Sequence, residues 1–277
     1  MLTDKEVSTL EDCARRLRCR VVKMLNCAGS GHLAGALDLA DIMACLYFKL
    51  MHYDFAQPND PMRDLFVLSA GHVCPVLYAV LAEAGAIEAS ELTTLRRLGS
   101  RLQGHPERGL LPWVETTSGP LGSGLSQAAG MAYSIKWLDQ TERKVYCITG
   151  DGELDEGNIW EAAMFAAKYQ LNNLIVFVDR NSIQLSGDTE DIMPLEPLAD
   201  KWRSFGWLVR VIDGHNIAEI CRTVQGLPVD NCQPVAIIAR TVAGKGVSFI
   251  EGDYRWHGKV LNDIDTKRAL KELSRAE

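Results

Sequence analysis

Five short apolar runs are spaced along the chain, over residues 64–69, 145–149, 174–178, 207–212 and 234–241. They are rich in β-branched and aromatic residues, which favours buried strands of a parallel sheet over helices. Segments of helical pattern or composition lie between them, over residues 3–25, 37–51, 75–84, 125–138 and 156–171. Two of these have apolar residues on one face, Leu10, Ala14, Leu17, Val21 and Leu25 in the first and Trp160, Met164, Ala167 and Leu171 in the last. The alternation, without internal repeats, predicts one α/β domain over residues 1–277 with a doubly wound, mostly parallel sheet flanked by helices.

Composition excludes several classes of protein. The chain has 277 residues, a formal net charge of -7 and no basic stripe, which argues against a nucleic-acid partner. No apolar run is long enough to span a membrane and the first residues are charged, so we predict a cytoplasmic protein without a membrane contact. The eight cysteines have neither C-x-x-C pairing nor zinc spacing, and we expect them to be buried apolar side chains.

The strand–helix–strand segment over residues 145–181 places polar groups at two strand ends. Asp151 follows one strand, between Gly150 and Gly152, and Asn181 closes the next. The carboxyl ends of parallel strands lie at the edge where open α/β sheets bind ligands. One carboxylate and one neutral amide suit Mg²⁺ beside a phosphate, and Gly152 lets its backbone N–H approach that phosphate. An Asp-Gly turn explains the tripeptide alone, but the whole segment favours a metal–diphosphate clamp.

These residues resemble a known motif. Gly-Asp-Gly-Glu-Leu-Asp-Glu-Gly at 150–157, Trp-Glu-Ala at 160–162 and Val-Asp-Arg-Asn at 178–181 are similar to the thiamine-diphosphate motif of transketolases. The resemblance implies the diphosphate-binding domain of the thiamine-diphosphate-binding fold. It also implies thiamine diphosphate as cofactor, with Mg²⁺ or another divalent cation such as Ca²⁺.

The resemblance also assigns roles within this motif. Asp151, Asn181 and the backbone carbonyl of Ile183 would bind the metal ion. Gly152 and Asn181 would contact the cofactor, and Leu185 would pack against its thiazolium ring. Two further acids, at positions 156 and 161, match family residues near the subunit interface, although a glutamate in a first helical turn is also favoured by the helix dipole.

Four of the six histidines lie in glycine-containing loops, namely His32, His72, His105 and His257. Each alone could be a loop histidine bonded to nearby backbone. Their phrases, Ser-Gly-His, Ser-x-Gly-His, Gly-His-Pro-Glu and Trp-His-Gly, are similar to those of transketolases, although Leu33 replaces the usual proline. The resemblance implies that His32, His105 and His257 are catalytic and face the substrate, and that His72 and His257 hold the diphosphate.

Two more loops carry part of the resemblance. Thr-Ser-Gly-Pro-Leu-Gly-Ser-Gly at 117–124 is similar to the family's Thr-Gly-Pro-Leu-Gly-Gln-Gly, with Ser123 in place of the glutamine. It implies that Gly119 and Leu121 bind the cofactor through backbone contact and packing. Farther along the chain, Asn216 follows Asp-Gly-His and is predicted to cap a helix.

The resemblance covers nearly the whole chain but only about the first third to half of a full transketolase. In the family, the residues that drive cofactor tautomerisation, stack on the pyrimidine and grip the substrate phosphate lie in the following domain. We therefore hypothesise the N-terminal subunit of a split transketolase, a transferase that moves a two-carbon ketol unit from a ketose phosphate to an aldose. It would be active only with a separate C-terminal subunit, as an α₂β₂ heterotetramer.

Two alternatives remain open. The α subunit of a thiamine-dependent 2-oxo-acid dehydrogenase shares the Gly-Asp-Gly…Asn motif but typically lacks the Gly-His-Pro-Glu and Ser-Gly-His phrases. A non-catalytic module that only binds thiamine diphosphate would have no need for substrate-facing histidines. The particular sugars remain open as well, either common pentose and hexose phosphates or a branched or modified sugar.

Overall fold

The computed structural model describes residues 2–228 and 232–274 and contains one five-stranded sheet and one two-stranded hairpin. The sheet has the order β1-β2-β3-β7-β6 with every neighbouring pair parallel, and β4 pairs with β5 antiparallel. The strands are β1 Leu65–Leu68, β2 Val145–Gly150, β3 Leu174–Arg180, β4 Ile183–Gln184, β5 Gly187–Asp188, β6 Leu208–Asp213 and β7 Val235–Arg240. All five strands predicted for the sheet are confirmed.

Ten α-helices surround the sheet in the described part of the chain. They are α1 Asp4–Ala28, α2 Ala34–Asp38, α3 Ala40–Cys45, α4 Cys74–Glu83, α5 Ser123–Tyr133, α6 Gly157–Lys168, α7 Thr189–Ile192, α8 Leu198–Ser204, α9 Ile217–Gln225 and α10 Asp263–Ser274. At the start of α1, Thr3 and Glu6 form a capping box. The predicted cap of α9 is confirmed, because Asn216 Oδ1 accepts a hydrogen bond from Glu219 N at 2.9 Å.

Side chains of the central strands point alternately to two cores, one on each face of the sheet. Tyr146, Ile148 and Phe177 belong to the core that includes α1, α3, α4 and α9. Cys147 and Val176 belong to the core that includes α5, α6 and α8. Both faces are therefore covered by helices, which confirms the doubly wound α/β architecture. Five of the eight cysteines are buried, as expected for small apolar side chains.

Two helices differ from their predictions. The helix predicted over residues 37–51 is divided into α2, α3 and a π-helical turn, Leu46–Leu50. Helix α6 ends at Lys168, before Leu171, and it buries a stripe of Ile159 and small alanines rather than the face containing Met164, which is 53% exposed. The small residues let α6 pack closely on α5, a preference that hydrophobic periodicity does not encode. Helices α7, α8 and α10 had no counterpart in the sequence prediction.

In the described ranges, no helix combines the length and the apolar character needed to cross a bilayer. The cytoplasmic location and the single-domain organisation over residues 1–277 stay predictions.

Candidate active site

A cavity of ≈ 290 Å³ opens at the carboxyl ends of the central strands, the edge predicted to bind a ligand. Eight predicted site residues line it, namely His72, Leu121, Asp151, Gly152, Asn181, Ile183, Leu185 and His257. Of the other three, His32 contacts two of the cavity histidines, whereas His105 and Gly119 lie beside each other and are not among the lining residues. The fold thus brings most of the predicted site together.

Asp151 is held at the end of β2 by donors from three sides. Its Oδ2 accepts from Ser182 N at 2.7 Å and from Arg180 Nη1 at 3.0 Å, and its Oδ1 accepts from Gly152 N at 2.8 Å. Burial raises the pKa of the Asp151 carboxyl, although Arg180 and the backbone donors oppose that shift. Since Oδ1 receives one hydrogen bond, it keeps lone-pair capacity for a cation.

Asn181 lies at the end of β3 between two carboxylates. Its Nδ2 donates to Asp38 Oδ2 at 3.0 Å and to Asp179 Oδ2 at 3.1 Å, and its Oδ1 accepts from Ile183 N at 3.0 Å. Burial raises the pKa of Asp38 well above its usual range and that of Asp179 to about 7. Repulsion from Asp179 adds to the shift of Asp38, and repulsion from Asp151 adds to that of Asp179. The Asn181 amide oxygen also keeps one lone pair free.

Packing around position 152 also favours glycine. A Cβ built there would lie 2.9 Å from Gln184 Oε1 and 3.1 Å from Gln184 Cβ in β4, so a larger residue would force the Gln184 side chain to move. The Gly152 N–H, which we expected to face a phosphate, donates to Asp151 Oδ1. A phosphate would therefore have to share this donor with Asp151.

Three histidines meet at the wall of the cavity. The ring centroids of His32 and His72 are 4.8 Å apart, those of His32 and His257 5.5 Å, and those of His72 and His257 5.4 Å. Burial lowers the pKa of His32 to about 4 and that of His72 to about 3, and it also lowers the pKa of His257. These rings are neutral near pH 7, so each provides one hydrogen-bond donor and one acceptor.

The fourth histidine lies nearer the surface. His105 is exposed, and its Cγ is 4.0 Å from where a Cβ on Gly119 would lie. Partial desolvation of its ring and the nearby Arg96 guanidinium lower the pKa of His105. Leu121 and Leu185 line the cavity with 38% and 69% of their surface exposed, so apolar area is available for a ligand to cover.

Sequence reasoning missed three residues that shape the site. Glu153 is 3% exposed and accepts hydrogen bonds from Gly122 N, Gly150 N and a serine hydroxyl. Asp38 is fully buried beside Asn181, and Arg180 pairs with Asp151. A usable signal existed for Asp38, because a carboxylate in an otherwise apolar helix is unusual. For Glu153 and Arg180 the neighbouring motif gave no sign of their contacts.

The predicted cofactor and metal can be tested against these atoms. Among the described residues, no group of three or more His, Cys, Asp and Glu side chains is placed to hold a metal ion. The predicted ligand set is of another kind, since it joins one carboxylate to an amide and a backbone carbonyl. His32 Nδ1 is buried without a hydrogen-bond partner, as expected of a group that awaits a ligand. Open oxygen lone pairs and this unpaired nitrogen fit a metal-bound diphosphate.

The known proteins that this chain resembles include transketolases and transketolase subunits. The family model described as "Transketolase, thiamine diphosphate binding domain" matches residues 9–275. The chain is 42% identical over 266 residues to the 6-deoxy-6-sulfo-D-fructose transketolase subunit SqwG of Clostridium sp., covering 96% of each chain. It is 39% identical over 269 residues to one of the subunits of the apulose-4-phosphate transketolase of Phocaeicola vulgatus, covering 97% of this chain and 95% of that one.

Full-length transketolases match along part of their length. Human transketolase is 40% identical over 276 residues, which cover 97% of this chain and 42% of the human one. The solved transketolase of Leishmania mexicana superposes with a TM-score of 0.91 at 31% identity, covering 96% of this chain and 41% of that one. The chain thus spans about two fifths of these proteins.

The parallel sheet has its cavity at the carboxyl edge, and together with the matching family model this assigns the chain to the α/β proteins of the thiamine-diphosphate-binding class. Within that class, the chain belongs to the transketolase family, whose thiamine-diphosphate-binding domain it matches over nearly its whole length. These relatives are transketolases or transketolase subunits, so the 2-oxo-acid dehydrogenase alternative is not favoured.

Proposed function

We propose that this chain is the N-terminal subunit of a two-component transketolase that transfers a two-carbon ketol unit from a ketose phosphate to an aldose. The observation that carries the proposal is the convergence of eight predicted site residues on one cavity. The two-component arrangement is supported by relatives that are named as subunits and are covered over 96% and 95% of their length.

The metal site would use three oxygens at neighbouring strand ends. Asp151 Oδ1, Asn181 Oδ1 and the Ile183 carbonyl would hold Mg²⁺ or Ca²⁺, with diphosphate oxygens and water completing the shell. The amide and the carbonyl add no negative charge beside the diphosphate. Leu121 and Leu185 would bury their exposed apolar surface against the cofactor.

The histidines would handle hydrogen bonds and protons. Bound thiamine diphosphate supplies the electron sink for carbanion chemistry at the ketose carbonyl. His72 would donate to the diphosphate, and His257 would reach both diphosphate and substrate. His32, His105 and His257 would hydrogen-bond the sugar hydroxyls and the developing alkoxide. Because their pKa values are lowered, the rings are neutral near pH 7, and each can donate one hydrogen bond and accept a proton at its other nitrogen.

The remaining parts of the active site would come from a C-terminal subunit in an α₂β₂ assembly. Reconstitution tests this directly. The chain alone is expected to give no ketol transfer, whereas the chain mixed with a separately encoded C-terminal transketolase subunit should transfer the ketol unit. His257→Asn in the mixture should reduce turnover without loss of assembly. Ketol transfer by the isolated chain would refute the two-component arrangement.

The same mixture addresses the substrate. Ketose phosphates and a ketose sulfonate should be compared as donors, since one relative is named for a sulfonated fructose and another for apulose 4-phosphate. We expect turnover with a ketose phosphate. If the assembled pair binds thiamine diphosphate but turns over none of these donors, the transketolase function is wrong and the non-catalytic module is the better description.

A further inference from the structure

Asp38 carries a buried carboxyl group without a cationic partner. It is the last residue of α2 and is 0% exposed. Its Oδ2 accepts from Asn181 Nδ2 at 3.0 Å, while its Oδ1 is buried and has no hydrogen-bond partner. In the described part of the chain, none of the ion pairs includes Asp38. A buried carboxylate in this state opposes folding, so stability does not explain its presence.

Asp38 contacts the side-chain amide of Asn181. The two hydrogens of Nδ2 point to two carboxylates, Asp38 Oδ2 at 3.0 Å and Asp179 Oδ2 at 3.1 Å. Asp179 is itself fixed, because its Oδ1 accepts from Thr241 Oγ1 at 2.5 Å. A flipped amide would place its oxygen against the two carboxyl oxygens that now accept from Nδ2. The amide oxygen is therefore confined to the opposite side, where it accepts from Ile183 N at 3.0 Å and keeps a lone pair.

We propose that Asp38 is a positioning residue that holds the Asn181 amide oxygen towards the divalent cation of the diphosphate site. The proposal rests on the proposed function, because it requires that Asn181 be a metal ligand. Asp38 acts through Asn181 and does not itself touch the metal. Without Asp38, one amide hydrogen loses its acceptor and Asp179 alone is left to oppose rotation of the amide. Loss of a group that orients a metal ligand typically weakens metal binding by about 10- to 100-fold.

An orienting role and a charge role make different predictions for Asp38→Asn. Asp38→Asn can present an amide oxygen to Asn181 and so keeps the acceptor while it removes the charge. Asp38→Ala removes both, and Asp38→Ser is too short to reach the amide. If orientation is the role, the asparagine variant resembles the wild type. If negative charge is the role, the asparagine variant resembles the alanine variant.

The experiment titrates Mn²⁺ in the presence of thiamine diphosphate and measures free Mn²⁺ by electron paramagnetic resonance. It uses the full chain reconstituted with a C-terminal subunit, and thermal unfolding of each metal-free variant is recorded in parallel. We expect Asp38→Ala and Asp38→Ser to bind Mn²⁺ about 10- to 100-fold more weakly, and Asp38→Asn to stay within about threefold of the wild type. Because a buried unpaired carboxylate is removed, the metal-free variants should unfold no earlier than the wild type.

Asp41 supplies a matched control on the neighbouring helix. It is also a buried aspartate, but it pairs with Arg18 and His215 rather than with the site. Asp41→Asn should lower the unfolding temperature and leave Mn²⁺ affinity within about threefold, the reverse of the Asp38 pattern.

Three outcomes would contradict the positioning role of Asp38. Wild-type Mn²⁺ affinity in the alanine or serine variant would show that Asp38 does not position Asn181. An asparagine variant as weak as alanine would show that charge, not orientation, is its role. Failure of the wild-type assembly itself to bind Mn²⁺ with thiamine diphosphate would remove the proposed function and this proposal with it. If the alanine variant does not fold, the serine and asparagine variants give the same comparison.

Discussion

The carboxylate of Glu153 connects three segments at the ligand-binding edge of the sheet. Its Oε1 accepts from Ser69 Oγ at 2.5 Å, just after β1, and from Gly122 N at 2.7 Å, at the start of α5. Its Oε2 accepts from Gly150 N at 3.0 Å, at the end of β2. Glu153→Ala would leave two backbone N–H groups and one hydroxyl without this acceptor, and the loop containing Leu121 would lose its anchor.

The size of the effect follows from these three donors. An unsatisfied buried donor costs about 1–3 kcal/mol. Part of this is offset, because burial raises the pKa of the Glu153 carboxyl and alanine removes that unfavourable desolvation. A net loss of about 3 kcal/mol would lower the unfolding temperature of a chain of this size by roughly 5–12 °C. Thiamine diphosphate affinity should fall as well, since the loop no longer presents Gly119 and Leu121 in a fixed position.

Thermal unfolding of the metal-free chain and cofactor titration of the assembled protein measure the two effects. Glu153→Gln should be intermediate, losing about 1–2 kcal/mol, because one amide oxygen still accepts while its NH₂ group faces a donor. Glu142→Ala, at an exposed glutamate before β2, serves as control and should change neither quantity. An unfolding temperature for Glu153→Ala within a degree or two of the wild type would refute the reasoning.

Two other predictions concern the metal and pH. Asp151→Asn removes the charged ligand, so Mg²⁺-dependent binding of thiamine diphosphate, followed by calorimetry, should become undetectable, and unchanged binding would exclude Asp151 as a ligand. Because burial lowers the pKa of His72 from 6.5 to about 3, the unfolded chain binds a proton below pH 6.5 that the folded chain does not. His72 therefore contributes stability that is complete above pH 6.5 and falls by about 2–3 kcal/mol by pH 4.5. Urea unfolding between pH 6.5 and pH 4.5 should show a smaller fall in the free energy of unfolding for His72→Gln than for the wild type, and equal falls would contradict this prediction. Asp179, whose pKa is raised to about 7, contributes in the opposite direction, but it is present in both proteins and cancels in the comparison.

The sheet could be predicted because its strands are buried on both faces. Such strands appear in the sequence as short uninterrupted apolar runs, and residues at their ends must lie at one edge. The placement of Asp151 and Asn181 follows from that rule and from the pairing of Gly150 with Asp179 in adjacent strands. The presence of Asp151 and Asn181 at one cavity was therefore accessible from local pattern alone, and the metal–diphosphate clamp stays a prediction.

The contacts that orient these groups could not be predicted in the same way. Asp38 and Asn181 are 143 residues apart, and Ser69 and Glu153 are 84 apart, so nothing local in the sequence links either pair. The break between α2 and α3 and the small-residue face of α6 likewise depend on which elements pack together. Gly35 is an example of this dependence on packing, because a Cβ there would lie 2.8 Å from Cγ1 of Val73, a residue that follows β1.

The charges at this edge indicate why the proposed site needs a divalent cation rather than a basic side chain. The cavity histidines are kept neutral by burial and so offer hydrogen bonds but no net positive charge. Arg180 is already engaged by Asp151, Glu190 and Glu196. No lysine or arginine is among the described residues that line the cavity, so a metal ion would have to supply the positive charge that a diphosphate needs there. On this proposal the metal carries the charge and the histidines remain free to exchange protons with a sugar, a separation that a cluster of charged imidazoles could not provide.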